Sequence, residues 1–171
     1  MSLKLVSVSH SDYSHLSKIY ISSRADELKF VPWTDEQKNA FLEAQFQAQT
    51  DHYYSTYSDG SFDLIKLEDQ PAGRLFQAEL DDEIRIIDLT LLPQFRNRGI
   101  GARLLSEVLE SGANKKKSVT IYLDTYSPAQ TLFSRLGFIP VADDGVYCLW
   151  ERKSGEKTSK GSVAATAGKT V

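Results

Sequence analysis

One stretch in the middle of the chain constrains the fold more than any other. The run "EIRIIDLTLL" is strand-like up to Pro93, and "SVTIYLD" from Ser118 has the same character. Between them, from about Arg98 to Ser111, apolar residues recur at helical spacing, and Gly112 stands where a C-terminal cap belongs. Two strands joined through one helix lie parallel in a sheet. The chain is therefore expected to contain a parallel strand pair.

The other segments predict a mainly antiparallel sheet around this pair. Further strand-like runs are "LKLVSVS", "SFDLIKLE", "AGRLFQAEL", "FIPVA" and "VYCLW". One helix starts at Ser11 or Asp12, another starts at the Thr34 capping box and ends near Gln49, and a short one lies in "SPAQTLFSRLGF". The predicted fold is α/β (α+β), with a mixed, mostly antiparallel, strongly twisted sheet of about seven strands flanked by about four helices.

Composition limits the class of protein. The chain has 171 residues, 41% of them hydrophobic, which suits one domain over residues 1–152. Residues 153–171 lack aromatic residues and apolar periodicity, so a flexible tail is expected there. The net charge of −3 argues against a nucleic-acid partner. Cys148, the only cysteine, lies in an apolar run, which excludes an intramolecular disulfide and favours a place in the core.

Targeting and metal signals are absent from the sequence as printed. No segment is long and apolar enough for a signal peptide or a membrane span, so a cytoplasmic protein without a membrane partner is expected. A single cysteine cannot build a cysteine zinc site, and no metal is expected.

The turn "RNRGIG" at the start of the central helix has the properties of an anion site. A helix N-terminus presents unpaired N–H groups and a partial positive charge. Gly99 and Gly101 have no side chain to keep a phosphate from the backbone, and Arg96 and Arg98 add positive charge. The turn therefore suits a phosphate or diphosphate. A glycine-rich turn with solvated arginines is the alternative.

Three phosphate-binding patterns compete for this turn. The P-loop pattern G-x-x-x-x-G-K-[ST] is absent. The dinucleotide pattern G-x-G-x-x-G fits Gly99 and Gly101 but has Leu104 at its third glycine, and the stretch "PQFRNR" separates the strand from the first one. In that reading Asp124 would bind the ribose. The third pattern, Q/R-x-x-G-x-G/A, is matched in full by residues 96–101.

With this third pattern the sequence resembles the GNAT superfamily of acetyl-CoA-dependent N-acetyltransferases. The stretch "SPAQTLFSRLGF" is similar to the family's N-x-x-A-x-x-L-Y-x-x-x-G-F, and the element order agrees over residues 3–150. The stretches "RADELKFVPW", "FLEAQF" and "DHYYSTY" resemble small bacterial members whose acceptors are mostly unassigned. The resemblance implies transfer of acetyl from acetyl-CoA to a primary amine of a small or amino-acid-like acceptor, by direct attack in a ternary complex. It also allows a homodimer.

The resemblance further implies which residues bind coenzyme A. Its pyrophosphate would lie on the turn and the helix start, at Arg96, Asn97, Arg98, Gly99, Ile100, Gly101 and Ala102. Its pantetheine arm would pair with the strand end at Leu91 and Leu92, where Pro93 leaves backbone donors open. An N–H near Leu91 would hold the thioester carbonyl. Ser127 and Phe133, from the second pattern, would also face the coenzyme.

The acceptor amine must lose a proton, because an alkylammonium group has a pKa of about 10. Asp88 is the first candidate base, since it interrupts an apolar strand where an acid is costly unless it is paired or functional. Glu27, in the loop between the first two helices, is the second candidate. The alternatives are an Asp88 bonded to an arginine or the backbone, and a solvated Glu27.

Two positions depart from the family pattern. Ser127 stands where the family has asparagine and can still donate one hydrogen bond. Phe133 stands where the family has the tyrosine that protonates the leaving thiolate, although a thiol with a pKa of about 8.5 leaves tolerably without an acid. Tyr126 and Tyr147 are candidate substitutes, with packing as the alternative. The Phe133 departure keeps a second hypothesis open, a non-catalytic acyl-CoA-binding or sensing module.

Three other features have two interpretations each. Trp33 and "DHYYSTY" either line an acceptor pocket or pack a helix end on the sheet. His52 either assists a base or is structural or solvated. The lysines at 115–117 form a solvated turn or contact the 3′-phosphate of coenzyme A.

Overall fold

The computed structural model describes residues 2–155, so residues 156–171 of the expected tail lie outside the described residues. The strands in this part are β1 (Leu3–Ser7), β2 (Ser61–Leu67), β3 (Gln70–Glu79), β4 (Glu83–Leu91), β5 (Ser118–Asp124), β6 (Ile139–Asp143) and β7 (Tyr147–Arg152). The α-helices are α1 (Tyr13–Arg24), α2 (Asp35–Thr56), α3 (Ile100–Lys115) and α4 (Gln130–Arg135). The α/β fold and the order of elements predicted from the sequence are confirmed.

The strands form one mixed sheet in the order β1-β2-β3-β4-β5-β7-β6. Every neighbouring pair is antiparallel except β4 and β5, which are joined through α3 and are parallel, as that connection requires. The parallel pairing runs from Glu83 opposite Ser118 to Ile86 opposite Ile121 and stops there. The two strands are therefore joined at one end only.

Helices cover both faces of the sheet with apolar side chains. Helices α1 and α2 pack on one face, in a buried cluster formed by Leu16, Ile19, Tyr20, Leu42, Phe46, Leu64 and Phe76. Helices α3 and α4 pack on the other face, where Ile100, Leu104, Leu105 and Val108 of α3 meet the inward side chains of β3, β4 and β5. Cys148 is buried, as predicted, and burial raises the pKa of its thiol.

Helix α2 is longer than the sequence indicated. Its capping box is confirmed, since the Gln37 N–H donates to Thr34 Oγ1 and the Thr34 N–H donates to Gln37 Oε1. The helix continues past Gln49 to Thr56, however, so most of "DHYYSTY" is helical. Tyr53 in this last part packs edge-on against Phe76 of the sheet, and such tertiary contact stabilises helical turns that have no strong local signal.

Helix α3 also ends later than predicted, at Lys115, and the expected cap at Gly112 is wrong. Gly112 lies inside the helix, and the chain that follows the helix passes close to it: an added Cβ would lie 2.9 Å from Val119 Cγ2 and 3.0 Å from the Lys117 carbonyl oxygen. The C-terminal cap is instead Lys116, which has the left-handed conformation with φ of 56°.

Candidate active site

A cleft opens where β4 and β5 separate. Beyond their last paired residues, β4 continues to Leu91 and β5 to Asp124 without a strand between them. Ile87 is an extra residue in β4 relative to β3, and such a bulge bends the strand and increases its twist. The cavity has a volume of about 620 Å³, which is typical of small-molecule sites.

The cleft brings together residues that are far apart in the sequence. Its walls come from α1, the short 3-10 turn Ala25–Leu28, α2, β4, β5 and the segment before α4. The three residues predicted as catalytic, Asp88, Glu27 and Tyr126, all line it, as does Ser127.

The floor of the cleft holds a buried ion pair between Arg74 of β3 and Asp88 of β4. Arg74 Nη2 lies 2.8 Å from Asp88 Oδ2 and Arg74 Nε lies 3.3 Å from Oδ1, and their side chains are only 2% and 11% exposed. Thr90 Oγ1 donates to Oδ1 at 2.6 Å, and Tyr53 Oη donates to Oδ2 at 3.4 Å. Gln49 Oε1 accepts from Arg74 Nη2 at 2.7 Å.

These contacts decide what Asp88 can do. A carboxylate has about four acceptor positions, and Asp88 receives four hydrogen bonds. Burial and the charge of Asp88 raise the pKa of Tyr53 well above its usual range, so the Tyr53 phenol stays protonated and donates. These contacts therefore favour one of the two roles left open for Asp88 by the sequence: a carboxylate paired with an arginine, rather than the base that receives the amine proton.

Glu27 has a more open environment on the opposite wall. Its side chain is 55% exposed, and it pairs with Arg24 through a 3.0 Å contact between Arg24 Nη1 and Glu27 Oε1. An exposed pair of this kind is weak and exchanges with water. Glu27 therefore keeps acceptor capacity that Asp88 lacks.

The turn before α3 has an unsatisfied positive group. Arg96 Nε donates to the Leu91 carbonyl oxygen at 2.9 Å, whereas Arg96 Nη2 is buried and, among residues 2–155, has no hydrogen-bond partner. Burial lowers the pKa of Arg96, and the negative charge of Asp26 acts in the opposite direction by raising it. An anion at the turn would give Arg96 Nη2 a hydrogen-bond acceptor and would stabilise the buried positive charge. Arg96 therefore fits a phosphate-bearing ligand.

The backbone of the same turn leaves room for such a ligand. Gly99 has φ of 77°, and an added Cβ would meet nothing within 4 Å. It directly precedes α3, whose first N–H groups have no intrahelical acceptor. Asn97 also has a left-handed φ of 60°, and Arg98 between them places its guanidinium 5.6 Å from the Phe95 ring. Ile100 is buried in the core, so its part in the turn is to anchor it.

At the end of β4 the two predicted donors differ. The Leu92 N–H donates to the Ala72 carbonyl oxygen of β3 at 2.8 Å, so the expectation that it is open is wrong. In an antiparallel pair the N–H groups alternate in direction, and Leu91 opposite Gly73 therefore directs its N–H toward the gap between β4 and β5. Leu91 keeps the backbone geometry of an open donor.

The residues of the second pattern separate in the structure. Ser127 lines the cleft, and its Oγ accepts from the Ala129 N–H at 3.2 Å, which leaves the hydroxyl proton for donation. Phe133 is fully buried against Phe138, so the structure does not bring its ring to the cleft surface. Tyr126 is 89% exposed at the cleft, so packing does not explain it, and Tyr147 is half exposed there.

Two of the remaining sequence features lie outside the cleft. Trp33 packs edge-on against Phe41 and is not part of the cleft lining, whereas His52, Tyr53 and Tyr57 are. Lys115 and Lys117 bind Glu79 at the far end of α3, about 24 Å from the turn for a helix of 16 residues. Their interpretation as a contact for the coenzyme's 3′-phosphate is therefore wrong.

Sequence reasoning missed several residues of the cleft. Arg74, Thr90 and Gln49 build its floor, and Arg24 pairs with Glu27 at its edge. A charged Arg74 in the apolar run "AGRLFQAEL" was the available signal, because a buried arginine needs a carboxylate on a neighbouring strand.

Comparison with known proteins agrees with this geometry. Residues 32–147 match the family model described as "Acetyltransferase (GNAT) domain". The fold is similar to an N-acetyltransferase, PaiA, from Thermoplasma acidophilum in complex with coenzyme A (17% identity, 90% of this chain and 99% of that chain, TM-score 0.66). It is also similar to PH1933 from Pyrococcus horikoshii OT3 (14%, 91% and 100%, TM-score 0.69) and an acetyltransferase from Thermus thermophilus (18%, 90% and 97%, TM-score 0.65).

The chain belongs to the GNAT acetyltransferase family, and its enzyme class is acyltransferase. No curated protein sequence matches it. The dinucleotide interpretation of the turn is wrong, because the sheet is mixed and the chain belongs to the GNAT family. Within residues 2–155 no group of three or more His, Cys, Asp or Glu side chains could hold a metal ion, and none of the helices described there is long and apolar enough to cross a membrane.

Proposed function

We propose that the protein transfers the acetyl group of acetyl-CoA to a primary amine of a small or amino-acid-like acceptor, by direct attack within a ternary complex. The observation that carries the proposal is the cleft between β4 and β5, with the glycine turn following at the end of β4 and the strand alternation directing the Leu91 N–H toward the gap. Acetyl-CoA supplies an activated acyl group, and Leu91 and Ser127 offer donors for its carbonyl and arm.

The chemistry requires little from the protein beyond positioning and removal of one proton. The acceptor enters as an ammonium ion and loses two protons: a base of the protein takes the first, which frees the amine for attack. The amine nitrogen then forms a bond to the acetyl carbon, the carbon–sulfur bond breaks, and the leaving thiolate takes up the second proton. Because Phe133 has no hydroxyl, the thiolate leaves without the family's tyrosine acid. Tyr126, an exposed phenol at the cleft, is the candidate substitute for that acid.

The test is release of free thiol from acetyl-CoA with a panel of amines. Tight coenzyme A binding with no turnover of any amine would favour the acyl-CoA-binding module instead.

We expect Glu27, rather than Asp88, to receive the first proton, the one whose loss frees the amine for attack. Replacing Glu27 by Gln should lower kcat at neutral pH about a hundredfold with little change in the KM for acetyl-CoA. Glu110→Gln, an exposed acid on α3, is the matched control and should leave kcat unchanged. A rise in the KM for the acceptor alone would show that Glu27 anchors the substrate and is not the base.

The buried Nη2 of Arg96 predicts a measurable share of coenzyme A affinity. Arg96→Met should weaken coenzyme A binding about ten- to a hundredfold, because a hydrogen bond to a charged group is lost. Calorimetry with coenzyme A measures this. Arg103→Met, one turn into α3 and paired with Glu107, is the control. Equal affinity in the Arg96 variant and the wild type would remove Arg96 from the binding site.

A further inference from the structure

The far wall of the cleft holds a carboxylate, Asp124, with three tyrosines near it. The proposed acetyl transfer gives this carboxylate no role. Asp124 is the last residue of β5, and Tyr122 is two residues earlier on the same face of that strand. Tyr147 of β7 is directly opposite Asp124, so its side chain leaves the sheet on the same side. Tyr126 donates its N–H to Asp124 Oδ1 at 2.9 Å. We call these four residues the Asp124 subsite; all of them line the cavity.

The charges of the cleft leave Asp124 in excess. Each arginine that lines the cavity has its own carboxylate: Arg24 pairs with Glu27, Arg74 with Asp88 and Arg85 with Glu83. Within residues 2–155, by contrast, no Lys, Arg or His side chain lies within 4.0 Å of the Asp124 carboxylate. Of the three carboxylates that line the cavity, Glu27 and Asp88 are therefore paired with an arginine, and Asp124 is left without a cationic partner among the described residues.

The tyrosines of the subsite present their rings to the cavity. Tyr122 is 53% exposed, Tyr126 89% and Tyr147 50%, so part of each ring can be reached by a ligand. The face of an aromatic ring attracts cations, and the protein already uses this at Tyr122, where the Arg85 guanidinium carbon is 4.8 Å from the ring centroid. Arg85 is neutralised by Glu83, so it does not cancel the pull of Asp124.

Backbone contacts fix the carboxylate in place. The Asp124 carbonyl oxygen accepts from the Ser127 N–H at 2.9 Å and from Gln130 Nε2 at 3.2 Å, which holds the turn after β5. Asp124 Oδ1 takes the Tyr126 N–H, and the other carboxylate oxygen is left for a ligand. A fixed carboxylate beside exposed aromatic rings suits an alkylammonium or quaternary ammonium group.

We infer that the Asp124 subsite binds a second cationic group of the acceptor, so that the preferred substrates are diamines or other amines with a distant positive charge. The inference rests on the proposed function: one amine of the acceptor is acetylated while the other stays charged at Asp124. Because the subsite is fixed relative to the opening between β4 and β5, one spacer length between the two nitrogens should be preferred.

The test begins with a cation that cannot be acetylated. Butyltrimethylammonium should bind the protein by calorimetry, and Asp124→Asn should weaken that binding about tenfold, with no change in the thermal midpoint. Asp59→Asn, an exposed acid outside the cleft, is the matched control. Tyr126→Phe, which keeps the ring face, should retain binding, whereas Tyr126→Ala should lose part of it. Equal binding by wild type and Asp124→Asn would overturn the inference.

Kinetics with paired substrates completes the test. Each α,ω-diaminoalkane is compared with the monoamine of the same chain length, and the diamine should have a kcat/KM about tenfold higher, a preference that Asp124→Asn removes through KM. If Asp124→Asn lowers kcat equally for both amines, or if the preference survives, the inference is wrong and the proposed function stands. If no amine is acetylated although probe binding depends on Asp124, the proposed function fails and the subsite stands.

Discussion

Replacing Asp88 by Ala is expected to lower the free energy of unfolding by about 3–5 kcal/mol, one of the two largest effects we expect from a single change. The substitution leaves the Arg74 guanidinium, whose side chain is 2% exposed, without its carboxylate. It also removes the acceptor for Thr90 and Tyr53. Chemical denaturation with the wild type as reference measures the loss.

A double variant separates this structural role from a chemical one. Combining Arg74→Met with Asp88→Leu replaces the ion pair by apolar side chains, and stability should return to within about 1–2 kcal/mol of the wild type, far less than the sum of the single losses. The same variant should keep measurable acetyl transfer if Asp88 only shapes the floor. A stable double variant with no turnover would instead return the base role to Asp88.

Replacing Gly73 by Ala is expected to affect both stability and acetyl-CoA binding. Gly73 of β3 is opposite Leu91, and an added Cβ would overlap the Thr90 carbonyl oxygen and lie 2.9 Å from Leu91 Cδ2. The end of β4 must shift to accommodate it, at a cost of about 1–3 kcal/mol. Because strand alternation directs the Leu91 N–H toward the gap between β4 and β5, the same shift should raise the KM for acetyl-CoA several-fold.

Gly112→Ala is the matched control for this prediction. It is also crowded, although less severely, with Val119 Cγ2 at 2.9 Å from the added Cβ, and it lies near the end of α3 that is far from the turn. Both variants should therefore unfold earlier on heating, while only Gly73→Ala changes the KM for acetyl-CoA. A similar KM change in both variants would mean that general loosening, rather than the position of Leu91, is responsible.

Local signals were sufficient for most of the fold. The apolar periods predicted the elements, and the helix between two strands required the parallel pair that the sheet contains. Boundaries failed where tertiary contacts decided them: α2 continues because Tyr53 packs on Phe76, and Gly112 is a contact point with Val119 rather than a cap. Neither contact can be read from neighbouring residues.

The site was predictable in its parts and less so in its arrangement. The sequence predicted that Asp88, Glu27, Tyr126 and the glycine turn belong to one active site. The structure brings the first three together in one cleft. The sequence could not show that all acceptor positions of the Asp88 carboxylate are occupied by hydrogen bonds. Arg74 lies on the neighbouring strand, and the register between the two strands depends on the bulge at Ile87. Nor could the sequence show that the other arginines of the cleft are paired while Asp124 is not.

The central claim, transfer of an acetyl group to an amine in this cleft, is tested most directly by following the group itself. Isotope-labelled acetyl-CoA is mixed with excess protein and a diamine, and the products of one turnover are weighed by mass spectrometry. We expect the label in the N-acetylated amine, an equal amount of free coenzyme A, and a protein of unchanged mass. Label that remains on the protein would contradict direct attack, and label found only as free acetate would contradict acetyl transfer altogether.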